Sequence, residues 1–442
     1  MLKTHSLRVL QVPFTWYPDA VGGTEVYVAG LCHGLRAQGI DAQVAAPLGA
    51  GGAAPDDGIP VHRFALDPAP TRARVWARVD AVATAAFEVL LDQLAPQIVH
   101  LHAHTPAVGA GLVAAARRRG MRTLLTYHTP TLSCARGSLM RHGLRACDGA
   151  LRPALCTQCS LGGQGLPRAL AAPLSWLPER LSAATEHWPR PLSTVLGARA
   201  RIEAFQRSCK SMLGQVDRVI AVCDWVAELL LRLGVAPARL ERSRQGLRDD
   251  FPALTAAPAP ARPRLLLLGR AHAFKGVDLV VGALRRLPAL ALDLHLYLVD
   301  QDAGGNAYLR DLRQRAVDDA RIHFHVNQPS PQVLAQLPGA SALLVPSRWL
   351  ETGPLTVLEA FAAGIPVLAT RLGGMAELVR DGIDGWLVDG LTEDAWMALL
   401  NRVVQQPDAL AQLRAGVRPP RRNAEVVADH MSLYARLLAE AA

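Results

Sequence analysis

WLETGPLTVLEAFAAGIPV (residues 349–367) carries two glutamates, Glu351 and Glu359, in otherwise apolar company. The preceding residues 342–347, ALLVPS, are a short apolar run that stops at a proline, which predicts a buried strand. Pro354 suits the first position of a helix, where its missing N–H costs nothing. Leu355, Leu358 and Phe361 give that helix an apolar face, and Gly364 followed by Pro366 ends it. Residues 366–370, PVLAT, then begin another strand. Glu351 is thus expected in a loop at the C-terminal end of a strand, and Glu359 about two turns into the next helix. Strand, loop, helix, strand is the repeating unit of a parallel sheet, whose C-terminal edge is where α/β proteins bind ligands. A helix N-terminus there offers unpaired N–H groups and partial positive charge, which suit phosphate. Either glutamate alone is as well explained by a local cap or salt bridge. Two that frame one helix N-terminus at a ligand edge point to a site.

The same alternation extends outward in both directions. Apolar runs at 7–12, 43–47, 98–102, 123–127 and 218–223 read as strands, with a helix over 24–38 that Gly39 ends and Thr24 caps. A second series follows at 264–269, 293–299, 322–326, 342–347, 366–370 and 386–388. Such alternation predicts α/β architecture: two doubly wound, Rossmann-like domains, with helices on both faces of each parallel sheet. We divide the chain into an N-terminal domain at 1–250, a Pro/Ala linker at 251–263, a C-terminal domain at 264–423 and a final amphipathic helix at 424–442. That helix either closes the C-terminal domain or crosses back to the first. The cleft between two such domains is the expected active site. Residues 129–215 break the pattern. They are rich in Pro, Gly, Cys and Arg and read as an insertion in the first domain.

A chain of 442 residues, half of them hydrophobic, is long enough for two sizeable cores. No apolar run reaches bilayer length, and the N-terminus enters a strand without a signal-peptide apolar region, so a cytoplasmic location is expected. The net charge of +9 is concentrated: residues 117–210 hold 15 Arg/Lys against 4 Asp/Glu. Such a surface suits anionic lipid or a phosphorylated substrate. Nucleic acid is disfavoured, because neither zinc-finger nor helix-turn-helix patterns nor interleaved aromatics are present. A dinucleotide-dependent oxidoreductase is disfavoured too, since no strand is followed by G-x-G-x-x-G with an acid about twenty residues on.

Three further loops fall at predicted strand ends. GRAHAFKG (residues 269–276) places Arg270 and Lys275 before a helix. It lacks the P-loop order, yet two cations there suit a diphosphate through charge-assisted hydrogen bonds worth about 1.5–3 kcal/mol each. Gly22 and Gly23 precede a helix and allow close approach of a ligand to backbone N–H groups. His128 ends the strand TLLTYH. His100, His102 and His104 alternate on one face of another strand and its exit, where at most one is expected to be functional.

With GRAHAFKG, PSRWLETGPLTVLEAFAAGIPVLAT, GGMAEL and DGIDGWLV in this order, the chain resembles the family 4 glycosyltransferases of GT-B fold along nearly its whole length. The resemblance implies that Glu359 holds the ribose hydroxyls of a nucleotide sugar and that Glu351 faces the sugar near the reacting carbon. Arg270 and Lys275 would neutralise the diphosphate leaving group. Gly22 and Gly23 would approach that diphosphate from the other domain, and His128 would contact the transferred sugar. Gly353, Pro354 and Leu355 would line the phosphates and sugar. It also implies retention of anomeric configuration, front-face attack with the leaving phosphate as base, and no catalytic metal. A glycan or lipid-linked acceptor in surface polysaccharide or glycoconjugate synthesis is the expected partner, with peripheral association to the inner membrane face. Two departures stand out: Gln245 replaces a common Asn, and the loop reads ETGPL. A sugar phosphorylase of the same fold and a non-catalytic nucleotide-sugar-binding protein are the alternatives.

Four of the seven cysteines, Cys134, Cys147, Cys156 and Cys159, lie in the insertion, the last two as C-x2-C. A structural zinc, free thiols and disulfides all remain open for them. Zinc would supply the folding energy that a segment with few aliphatic residues lacks. The stretch 166–181, LPRALAAPLSWLPERL, suits a membrane surface or packing on its own domain.

Overall fold

The computed structural model describes every residue except 1–6, 20–21, 50–57, 255–259, 261, 303–304 and 441–442. Residues 255–259 and 261 of the expected linker therefore lie outside the described residues. The chain forms two compact units, Met1–Arg244 with Asn423–Ala442, and Gln245–Arg422.

The first unit carries a seven-stranded sheet in the order β3-β2-β1-β4-β5-β8-β9. Its strands are β1 (Arg8–Val12), β2 (Asp41–Pro47), β3 (Val61–Phe64), β4 (Ile98–Leu101), β5 (Arg122–Tyr127), β8 (Arg218–Ala221) and β9 (Leu240–Arg242); a small hairpin, β6 (Met140–Arg141) with β7 (Arg145–Ala146), stands apart. All pairings within the large sheet are parallel. The central strands are buried almost throughout because helices cover both faces. In this sheet β3 and β9, the two edges, escaped the sequence reading, as did the small hairpin. VHRF and LER are short and half-exposed, so no apolar run marks them.

The second unit has six parallel strands in the order β12-β11-β10-β13-β14-β15. They are β10 (Arg264–Arg270), β11 (Asp293–Val299), β12 (Ile322–Val326), β13 (Ala342–Val345), β14 (Val367–Thr370) and β15 (Gly385–Val388). Leu265, Leu267, Leu294, Leu296 and Leu344 pack on one face with Trp396. Leu266, Leu343 and Val367 pack on the other with Val357 and Phe361. The strand order reverses between β10 and β13, which opens a crevice at their C-terminal ends.

The final helix, Asn423–Ala439, belongs to the first unit. It lies on the helix Gly23–Ala37. Gly34 makes that approach necessary: a Cβ there would sit 2.3 Å from Val427 Cγ2. Asn423 Nδ2 donates to the Gly30 carbonyl at 2.8 Å. Val426, Val427, Leu433, Tyr434 and Leu437 join the core under β1 and β2.

The insertion leaves the sheet after β5 and returns at β8. It is mainly helical: Pro153–Gly163, Arg168–Leu174, Glu179–Ala184, Leu192–Leu196 and Ala198–Gln215. Its own buried apolar cluster is small, with Leu161, Ala171 and Ala198 at the centre. No described helix is long and apolar enough to cross a membrane.

Candidate active site

The quoted glutamates lie beside the strand-order reversal of the second unit. Glu351 follows β13 and is buried, at 6% exposure. Lys275 follows β10 in the short turn Ala273–Lys275, and its Nζ lies 2.6 Å from Glu351 Oε1. Ser347 Oγ donates to the same oxygen at 2.7 Å. Burial pushes the Glu351 carboxyl up, but the Lys275 charge and the hydrogen bonds from Lys275 and Ser347 outweigh it and hold the group below its ordinary value. The pair is an anion and a cation on adjacent central strands, at the sheet's ligand edge.

Glycine makes the close packing of this loop work. Gly276 has φ +66, and a Cβ there would meet the Pro346 carbonyl oxygen at 1.9 Å. Gly373, at φ +51, would place a Cβ 2.6 Å from the Glu351 carbonyl oxygen, to which Gly374 N–H donates at 2.6 Å. GGMAEL thus clamps the backbone of ETGPL. Phe274 stacks on Trp349 at 6.1 Å between centroids, and Arg348 pairs with Asp278 at 2.6 Å.

The next helix runs Leu355–Ala362 with Pro354 at its N-cap, one position earlier than the sequence suggested. Glu359 is its fifth residue, closer to the N-terminus than two full turns. It is half-buried, and burial pushes its carboxyl up against the pull of Arg248. Arg248 was not foreseen; in this stretch only Gln245 was singled out. Gln245 lies against Gly353, its Oε1 2.9 Å from where a Cβ there would be. Pro354 is buried, Gly353 and Leu355 are half-buried, and Arg270 is exposed at the end of β10.

In the first unit, the helix after β1 starts at Gly23, and its N-cap is Gly22 rather than Thr24. Gly22 N–H donates to Glu25 Oε2 at 2.8 Å. Glu25, at the third helical position, thereby satisfies the N–H of the cap residue itself, while glycine offers no side chain to the first-turn N–H groups. His128 follows β5, is buried, and meets the Tyr27 ring edge-on at 4.7 Å. Its Nε2 lies 2.9 Å from His102 Nδ1. Burial, with the neighbouring imidazoles, keeps His100 and His102 well below their ordinary value, and burial with His430 brings His128 to about 3. These rings are neutral at pH 7. His104 is separate, held by Ser208 and the Leu132 carbonyl.

The four insertion cysteines line one cavity. All are free thiols, so the disulfide alternative is not realised. Among the described residues, no group of three or more His, Cys, Asp or Glu is gathered as an ion requires. Cys156 and Cys159 share a helix, while Cys134 and Cys147 come from separate turns.

Two parallel-sheet α/β units, each with polar groups gathered at the C-terminal ends of central strands, constitute the GT-B fold. Solved structures agree. Sucrose-phosphate synthase from Thermosynechococcus elongatus superposes with a TM-score of 0.67 at 18% identity, over 98% of this chain and 100% of the other. Anabaena HepE in complex with UDP-glucose gives 0.64 at 15% identity, over 96% and 99%. Family models match residues 22–246, as a glycosyl transferase 4-like domain, and residues 257–418, as glycosyl transferases group 1. The chain belongs to the glycosyl transferase 4-like family. Among curated relatives, D-inositol 3-phosphate glycosyltransferase 1 of Catenulispora acidiphila is 32% identical over 47% of this chain and 53% of its own length. The D-inositol 3-phosphate glycosyltransferase of Thermobispora bispora is 32% identical over 52% and 54%. The chain thus spans about half the length of these relatives.

Proposed function

We propose that the protein is a retaining glycosyltransferase that takes a sugar from a nucleoside-diphosphate donor. The observation that carries this reading is the Lys275–Glu351 pair at the strand-order reversal, beside the N-terminus of Leu355–Ala362. A fixed ammonium held by a buried carboxylate is preorganised to stabilise charge that develops on a departing diphosphate. Arg270, exposed at the end of the neighbouring strand, supplies a second cation. Glu359 accepts hydrogen bonds from ribose hydroxyls, and Gly353, Pro354 and Leu355 line the phosphate and sugar. Glu351 holds Lys275 through Oε1 and faces the sugar. In the first unit, Gly22 and Gly23 serve the diphosphate and His128 the transferred sugar. The acceptor oxygen attacks the anomeric carbon on the face that the diphosphate leaves, and a leaving phosphate oxygen takes its proton. No catalytic metal has a role in this scheme.

The acceptor is a glycan or lipid-linked molecule of surface polysaccharide or glycoconjugate synthesis. A lipid-linked one is supported by the insertion, where Trp176 is 74% and Trp188 51% exposed, as are Leu170 and Leu181, near exposed Arg168 and Arg180. The named activity of the curated relatives, transfer to D-inositol 3-phosphate, makes a small phosphorylated acceptor the second candidate.

Thermal melting against a panel of nucleoside diphosphates and nucleotide sugars tests the donor. A stabilising shift with one base, lost in Glu359→Ala, is expected. A shift with inorganic phosphate or free sugar, and none with any nucleotide, would replace this reading by a phosphorylase.

A further inference from the structure

A hydrogen-bonded chain crosses the interior of the first unit and reaches His128. Gln11, on β1, donates from Nε2 to the Tyr434 hydroxyl at 3.2 Å, and its Oε1 faces His102 Nε2 at 2.7 Å. His102 Nδ1 faces His128 Nε2 at 2.9 Å. A branch runs from the Tyr434 hydroxyl to His100 Nδ1 at 2.9 Å and from His100 Nε2 to Thr126 Oγ1 at 2.7 Å. All of these residues are buried.

Such a chain has a direction. An amide oxygen only accepts, so His102 carries its hydrogen on Nε2 and its lone pair on Nδ1. That lone pair accepts from His128 Nε2–H, which places the lone pair of His128 on Nδ1. On the branch, Tyr434 accepts from Gln11 and keeps its own hydrogen available for His100 Nδ1, in which case His100 Nε2–H donates to Thr126. Reversing the Gln11 amide reverses every step and moves the His128 hydrogen to Nδ1. One amide orientation and one hydroxyl, set 423 residues apart in sequence, therefore decide which face His128 offers. The hydroxyl comes from the C-terminal helix, which gives that helix a part in the site as well as in the core.

We propose that Gln11, His102 and Tyr434 are positioning residues that fix His128 as the Nε2–H tautomer, with Nδ1 an acceptor. The consequence for catalysis rests on the sugar-contacting role proposed above for His128; the tautomer itself does not. The test is ¹⁵N NMR of the full chain with labelled histidine, the His128 signals being assigned by their loss in His128→Asn. The expected spectrum has a protonated-type Nε2 and a bare Nδ1. Tyr434→Phe keeps the ring in the core but removes the hydroxyl, and should give a mixture of tautomers. The same variant should lower kcat/KM for the sugar nucleotide by about fivefold to tenfold, the worth of one neutral hydrogen bond, with affinity for the bare nucleoside diphosphate unchanged. A native His128 protonated on Nδ1, or a Tyr434→Phe spectrum identical to native, would overturn the proposal. A shifted tautomer with unchanged kinetics would uphold it and remove His128 from the sugar site instead.

Discussion

The two sheets organise their ligand edges with different chemistry. In the second unit a buried carboxylate and a half-buried ammonium face each other at 2.6 Å. In the first unit the equivalent depth is filled by uncharged groups: Gln11, Tyr434, Thr126 and three histidines that burial keeps neutral. On the proposed reading, charge holds and releases the diphosphate, and neutral donors and acceptors read sugar hydroxyls by direction rather than by charge. The contrast also separates two kinds of fragility. A buried ion pair fails when one partner is lost, whereas a neutral chain fails when it is protonated.

Lys275→Ala is the severest way to break the contrast. It leaves Glu351 buried without its cation, a loss of about 3–5 kcal/mol in denaturant unfolding. It should also lower kcat at saturating donor by roughly 10²–10³-fold. Glu351→Gln together with Lys275→Ala should recover part of the stability and none of the rate. Glu359→Ala removes a charge-assisted acceptor and should weaken nucleotide affinity by about 1.5–3 kcal/mol in calorimetric titration, with stability nearly unchanged.

The pH response sharpens the other side. For His128 the folded value, about 3, lies below the unfolded value near 6.5. Its neutral-state stability is therefore complete above about pH 6.5 and is lost as pH falls from there toward the folded value, at about 1.4 kcal/mol per pH unit for each such histidine. Unfolding free energies measured between pH 7 and pH 5 should slope downward, and His128→Asn should flatten the slope by one histidine's share. Glu351, held low, adds its own loss only at more acid pH. The smallest effect is expected at the insertion: Trp176→Ala should weaken sedimentation with anionic vesicles several-fold and leave melting unchanged, in keeping with its exposed ring.

The sequence made the second unit legible because its chemistry is local. GRAHAFKG and ETGPL each sit in one loop, so residue type and strand position were enough to place Lys275 and Glu351 at one ligand edge, although their ion pair was seen only in the structure. The first unit was harder to read for the converse reason. Tyr434, Gln11 and His102 meet across hundreds of residues, and nothing in the helix 424–441 announced that its tyrosine completes a histidine network. Edge strands β3 and β9 were invisible for want of apolar alternation. Thr24 was read as the cap in place of Gly22 because glycine has no capping side chain and its N–H partner, Glu25, lies three residues on. Cysteine spacing left zinc, free thiols and disulfides open, because spacing alone does not say how sulfurs from separate turns face one cavity.

The central claim, that Lys275 and Glu359 divide leaving-group stabilisation from donor binding, is tested most directly by steady-state kinetics of the two alanine variants on one nucleotide-sugar donor. The account predicts that Lys275→Ala falls chiefly in kcat and Glu359→Ala rises chiefly in KM. Near-native kinetics in both variants, or a loss confined to KM in Lys275→Ala, would contradict it.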